Sequence, residues 1–323
     1  MSFSLNRIDP MVRLIAAALV LASLLPATGA ALDAVRLASN AGVFVLFLLY
    51  GLKLAHADVR AGLANTRLLV PLALWVFGVM PAAGWGLWQV TAAWLPGALA
   101  FGFLYLGVLP TTVQSATTYS SLAGGNVASS VIAAAMLNLM GVFVSAPLFS
   151  LLAGGTASDF AAETLVKVMA MMLLPFVIGQ AAQGFAGHWV KQHRGTTTLL
   201  ERGTIGLAVY TAFSGAMSEG IWTRVTPQAW SVLAAGCAAL LVLGYGGAWL
   251  LGRALGLPRG DRIAMLFAGA QKSIAMGAPL AMVLFPPATA GLILLPLMVY
   301  HLAQMVVAAP IAARIGRSAI SGS

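Results

Sequence analysis

Hydrophobic positions gather into ten long runs divided by short polar stretches, near residues 9–27, 33–52, 66–85, 92–122, 127–153, 160–184, 203–219, 229–251, 259–286 and 288–311. Each run suits an α-helix crossing the bilayer core, which takes roughly 20 apolar residues. The pattern predicts an all-α polytopic membrane protein of ten transmembrane helices, one membrane unit over 1–323 with no separate soluble domain. Runs one to five (9–153) and six to ten (160–311) superpose in spacing. An odd number of spans per half sets the halves in opposite orientation, so the expected architecture is a 5+5 inverted repeat, as in many secondary transporters.

Two runs are interrupted at corresponding places. In the fourth, the apolar stretch ending at Leu109 meets Pro110 and then Thr111, Thr112, Gln114, Ser115, Thr117 and Thr118. Proline removes a backbone donor and clashes with the preceding turn, so helix 4 is expected to be discontinuous. In the ninth, Gly269-Ala270-Gln271-Lys272-Ser273 places a lysine at mid-span. An ionisable group at that depth needs a partner or a water-filled cavity and is a functional candidate by default. Irregular backbone is tolerated within a bilayer only where protein buries it or it lines a cavity. Both breaks are therefore expected to meet inside the protein, where carbonyls attract cations and half-helix N-termini attract anions.

Composition sharpens this picture. Hydrophobic residues make up 60% of the chain and charged residues 8%, with mean hydropathy +0.94, against about 25% charged in soluble domains. With both termini cytoplasmic, thirteen of the 17 Lys and Arg fall on the inner side: Arg7, Arg13, Lys53, Arg60, Arg67, Lys191, Arg194, Arg202, Arg253, Arg259, Arg262, Arg314 and Arg317. Arg36, Lys167 and Arg224 fall outside and Lys272 lies within a span, the bias expected of non-translocated loops. Topology thus accounts for the net charge of +9, and no nucleic acid partner is expected. Trp85, Trp88, Trp94, Trp222 and Trp230 flank the third and seventh outer loops, as interfacial rings do. Arg7 and Arg13 before Leu14–Leu25 imitate a signal peptide, but retaining the segment keeps the charge alternation consistent.

No enzyme is expected. Cys237 has no neighbouring His. Asp9, Asp33, Asp58, Asp159, Glu163, Glu201, Glu219 and Asp261 all fall at span ends, and no phosphate-binding loop or metal-ligand cluster is present. Pro71, Pro81, Pro147, Pro175 and Pro296 read most simply as kinks, Gly42, Gly78, Gly141 and Gly244 as close helix contacts, and Asn138 as an interhelical hydrogen bond or a ligand. His301 and Gln304 lie three apart on one helical face, a proton relay or ordinary packing.

The segments Leu109-Pro110-Thr111-Thr112-Val113-Gln114-Ser115, Gly125-Asn126-Val127-Ala128 and Gly269-Ala270-Gln271-Lys272-Ser273-Ile274-Ala275 resemble the bile acid:sodium symporter superfamily, solute carrier family 10. The nearest likeness is its SBF-like branch, which holds the seventh human member. The resemblance implies a core bundle of helices 66–85, 92–122, 127–153, 229–251, 259–286 and 288–311 beside a panel of 9–27, 33–52, 160–184 and 203–219. It also implies sodium-coupled uptake of organic anions by an elevator-like movement. Carried over by position, the sodium region involves Gln114, Ser115, Ser130, Asn138 and Gln271, with Thr111, Thr112, Lys272, Ser273, His301 and Gln304 as substrate or coupling residues. Three departures stand out: Phe267 replaces an acidic ligand, Lys272 an asparagine and Val76 a glutamine. A fixed ammonium would neutralise carbonyl ends as sodium does and repel a second cation nearby, so Lys272 is expected to replace one sodium site. Alternatively, it is the counter-charge of the substrate.

The expectation is a multi-pass protein of the cell (inner) membrane. It would carry a small organic anion by alternating access, in symport with Na+ or H+, with the lipid bilayer as its other partner. The competing expectation is a regulatory membrane protein that binds an ion or lipid and carries nothing.

Overall fold

A computed structural model describes residues 10–57, 65–154, 166, 168–218, 220 and 225–320. Arg7, Asp9, Asp58, Arg60, Asp159, Glu163, Lys167, Glu219, Trp222 and Arg224 lie outside the described residues, as does most of 160–167 in the sixth apolar run. Every regular element among the described residues is helical. Seven helices are long and apolar enough to cross a membrane, or eight when one bent pair counts as a span. Of the other two of the ten runs, the first is the 15-residue helix Pro10–Leu24. The seventh lies in Arg194–Ser218, whose opening third carries Arg194, Glu201 and Arg202.

The chain forms two compact units. Unit one comprises Met1–Lys53, Ala162–Thr226 and Ala278–Leu292, and unit two Leu54–Ala161, Pro227–Gly277 and Ile293–Ser323.

In unit one, α1 (Pro10–Leu24) and α2 (Gly29–Lys53) pack with later helices. After a π-turn at Met169–Leu173, these are α8 (Leu174–Gln192) and α9 (Arg194–Ser218). Helices α2 and α8 approach backbone to backbone because Gly51 and Gly179 face each other's chains; a Cβ on Gly51 would lie 2.8 Å from Gln180 N. Small residues permit such contact between membrane helices, and Gln180 Nε2 donates to Gly51 O across it at 2.9 Å. Lys53 pairs with Glu201 at 2.6 Å.

The loop expected between the sixth and seventh runs, 185–202, is instead helical on both sides of His193. His188, Lys191, Arg194, Glu201 and Arg202 end the apolar runs without ending the helices, because helices carry polar residues past the hydrocarbon and only a breaker or a cap stops them.

Unit two begins with α3 (Thr66–Leu74), a π-turn at Trp75–Val79 and α4 (Met80–Thr91). The π-turn precedes Pro81, whose missing N–H and ring are accommodated by one wide turn. Next come α5 (Gly97–Val108) and α6 (Val113–Leu122), bent by 62° at their junction. Helix α7 follows over Val127–Ala153, the expected boundaries. Asn126 caps it by accepting from Ser129 N at 3.1 Å. The second half of the unit repeats this order: α10 (Pro227–Val242), a π-turn at Leu243–Gly247, α11 (Ala248–Ala254) and α12 (Arg259–Ala270). Helix α13 (Ile274–Leu284) starts after a three-residue gap and belongs to this unit only as far as Gly277, and the long α14 (Pro287–Ile320) belongs to it from Ile293 onward. Pro147 and Pro296 sit inside continuous helices. Helix α5 from Leu99 and α12 from Ile263 are buried almost all round, so the C-terminal ends of both half-helices stop in protein interior.

Candidate functional site

Helix α5 stops because Pro110 cannot continue it, and α12 stops with no proline at all. The two gaps, 109–112 and 271–273, lie against one another in the core of unit two, as expected. Ser273 N donates to Pro110 O at 2.9 Å, Thr112 Oγ1 to Lys272 O at 2.8 Å, and Ser115 Oγ to Gln271 Oε1. Ser273 also begins α13 as its cap, accepting from Met276 N at 3.2 Å.

A helix end leaves its last carbonyls without intrahelical donors, and buried ones must find others. Around the first break every carbonyl from Leu106 to Thr112 is served. Leu109 N serves Leu106, and Ala116 N serves Thr112. Ser145 Oγ serves Val108 at 2.9 Å, Asn138 Nδ2 serves Thr111 at 2.8 Å, and Ser273 N serves Pro110. The remaining two belong to Lys272, whose Nζ donates to Gly107 O at 2.8 Å and Leu109 O at 2.7 Å. The side chain is fully buried. Its ammonium sits on the carbonyl end of α5, where the helix dipole favours positive charge.

Helix α14 holds the second break. Gln304 Oε1 accepts from Lys272 N at 2.8 Å while Gln304 Nε2 donates to Lys272 O at 3.1 Å, so one amide grips one peptide unit from both sides. The same Nε2 lies 2.9 Å from His301 Nδ1. Tyr300 Oη donates to Ala270 O at 2.5 Å, and Tyr105 Oη to Gly277 O at 2.6 Å.

The expected site residues thus divide. Thr111, Thr112, Ser115, Asn138, Gln271, Lys272, Ser273, His301 and Gln304 form one hydrogen-bonded cluster around the crossing. Gln114 is exposed and takes no part in it. Ser130 is buried with its hydroxyl lacking a hydrogen-bond partner; it lies eight residues before Asn138 on α7, about 12 Å along the helix. Sequence reasoning missed Ser145 and Tyr300, which donate to the carbonyl ends of α5 and α12 at the breaks, and Tyr105, which donates to Gly277 O within α13. Their signal was present, since each is a polar group within an apolar helix, where such groups join helices.

The three departures also have a structural setting. Phe267 is fully buried and stacks on Tyr119 with centroids 5.9 Å apart, while Tyr245 meets it edge-on at 6.2 Å. Val76 is fully buried in the first π-turn. Aromatic and aliphatic groups therefore fill two of the positions, and the third carries the ammonium.

Two relatives match over nearly their whole length. An uncharacterized protein of Pseudomonas aeruginosa is 35% identical over 302 residues, covering 93% of this chain and 91% of that one. A candidate symporter of Escherichia coli, YfeH, is 34% identical over 318 residues, covering 96% and 93%. Sodium/bile acid cotransporter 7 of Mus musculus is 22% identical over 276 residues, 83% of this chain and 79% of that one. The two of these that carry a functional name are transporters by that name. With broken helices crossing in a buried polar core and a family profile matching residues 9–317, this multi-pass membrane protein belongs to the SBF-like CPA transporter family, whose relatives include the bile acid cotransporters.

Proposed function

We propose that the protein is a secondary active carrier that moves a small organic anion by alternating access, in symport with one monovalent cation, sodium or proton. The reading includes ten spans in two inverted halves. Helices α1, α2, α8 and α9 form the panel and the others the core, in the cell (inner) membrane with both termini cytoplasmic.

The observation that carries it is the Lys272 ammonium bonded to Gly107 O and Leu109 O at the crossing. A tethered cation there does what a bound sodium would do for the α5 carbonyls, and its field disfavours a second cation at close range. Phe267 and Val76 supply no oxygen for one either. The buried Ser115, Gln271 and Thr111, with Asn138, remain as neutral oxygen donors for a single ion, such as hard cations prefer. Two half-helices, α6 and α13, begin at the same crossing, and their N-termini favour an anionic substrate. Because two Lys272 donors are committed to carbonyls, this geometry favours sodium replacement over a direct substrate counter-charge.

A thermal-shift screen of the detergent-purified protein against small organic anions, with sodium exchanged for choline, tests the reading. A ligand of the native state raises its apparent stability. The expected result is an anion that raises Tm and then shows counterflow in reconstituted vesicles. A binder without counterflow would make the protein a regulator instead, and unaltered uptake and cation dependence in Lys272→Ala would remove the lysine from the mechanism.

A further inference from the structure

Gln304 carries more information than an ordinary buried amide, because both its partners on the unwound segment are backbone groups whose roles are fixed. Lys272 N–H can only donate and Lys272 C=O can only accept. Oε1 must therefore face the former and Nε2 the latter, as observed, and no flip of the amide is permissible. Nε2 has a second hydrogen, and His301 Nδ1 stands 2.9 Å away. Facing an N–H, Nδ1 has to be the acceptor, and a neutral imidazole with an accepting Nδ1 bears its hydrogen on Nε2.

From this geometry we infer that His301 is a proton-binding site whose occupation releases the unwound segment at Lys272. Imidazolium has a hydrogen on both nitrogens and accepts at neither, so its Nδ1–H would confront the Gln304 N–H. Rotating the amide would relieve that clash by turning N–H onto the Lys272 N–H and the oxygen onto the Lys272 carbonyl, two repulsive contacts in place of two bonds. Protonated His301 and the Gln304 grip are mutually exclusive. Once released, Lys272 O retains Thr112 Oγ1, whereas Lys272 N–H loses the Gln304 oxygen that holds it.

The ionisable groups packed around this turn of α14 do not substitute for His301. Lys272 directs its ammonium to α5. Tyr245 Oη donates to Gln304 O, Tyr119 Oη to Met305 O, and Cys237 Sγ to Pro296 O, while Tyr300 Oη is bound to Ala270 O. Using this proton for coupling rests on the carrier reading above; the proton site itself does not.

The test uses the full chain in lipid nanodiscs and needs no substrate. The chain has four histidines, so selective 15N-histidine labelling yields four imidazoles, with His301 assigned by its loss in His301→Asn. At pH 8 the expected tautomer is Nε2–H. Amide exchange at Lys272, expressed as a protection factor to remove the intrinsic pH dependence, is expected to fall as the pH is lowered and the imidazole takes up its proton, with a limiting slope of about tenfold per pH unit. His301→Asn offers Gln304 an oxygen that does not titrate, so its protection should stay flat with pH at the wild-type pH 8 level. Gln304→Met should lose protection at every pH. A hydrogen on Nδ1 at pH 8, or the wild-type slope surviving in His301→Asn, would overturn the inference. Anion counterflow with a failed tautomer test leaves the carrier without this proton site, and the reverse pair of results leaves a proton site in a protein that is not a carrier.

Discussion

The two helix breaks reach the same irregular backbone by different means. At 109–112 the break is written into the chain by Pro110, and what the surroundings add is donors for the exposed carbonyls. At 271–273 nothing forbids continuation of the helix; alanine, glutamine and lysine are good helix formers. There the break persists because its peptide groups have better partners elsewhere: Gln304 on both sides of Lys272, Pro110 O for Ser273 N and Tyr300 for Ala270 O. The first break receives a cation and the second supplies it. A broken helix can thus arise from a covalent constraint or from competition for hydrogen bonds, and in the second case single side chains hold it open.

Substitutions can break that contrast, and they rank by how many buried groups each leaves without a partner. Lys272→Ala strips Gly107 O and Leu109 O together. With hydrogen bonds to charged groups worth about 1.5–3 kcal/mol each, it should destabilise by about 3 kcal/mol or more, read as a large drop in the unfolding midpoint in detergent. An unchanged midpoint would mean that the ammonium does not support the first break. Gln304→Leu removes the grip on the second break and orphans Lys272 N–H, for about 2 kcal/mol by the same measurement. It should also raise amide exchange locally at 271–273 while leaving 109–112 protected. Ser145→Ala takes one donor from Val108 O and should cost about 1 kcal/mol.

Pro110→Ala sharpens the comparison most although its effect should be smallest, on the order of 1 kcal/mol or less. Since the carbonyls from Gly107 to Thr111 already have donors from outside α5 and α6, those donors should keep open the break that the proline began, and removing it should not restore the helix. A structure of that variant with continuous helix from 97 to 122 would show that proline alone maintains the break.

Much of the fold was legible. Helix α7 has its expected limits, because Asn126 offers a cap just where the apolar run begins and Gly154, at φ 64°, sits beyond its end. Polarity misled the reading at 185–202, where charged but helix-competent residues continue α8 and α9 beyond the hydrocarbon. The π-turns at 75–79 and 243–247 left no separate trace in hydropathy, since a wide turn leaves composition unchanged. Of the site, Lys272 and the two breaks stood out by cost, as a charge and a proline in apolar surroundings. Ser145 and Tyr300 did not, because a hydroxyl in a membrane helix has many possible neighbours.

By itself, the sequence determined the solvent, the family and the places where a helix must fail or a charge must be explained. These follow from local terms: transfer of apolar side chains, the missing proline N–H and the penalty on an ammonium in hydrocarbon. Only the tertiary structure decided which donor meets which carbonyl, that Lys272 lies on the end of α5, and that one amide, Gln304, reaches both sides of the Lys272 peptide groups. Hydrogen bonds between residues some 30 to 165 positions apart depend on directions and distances fixed by packing, and no local pattern in the chain encodes them.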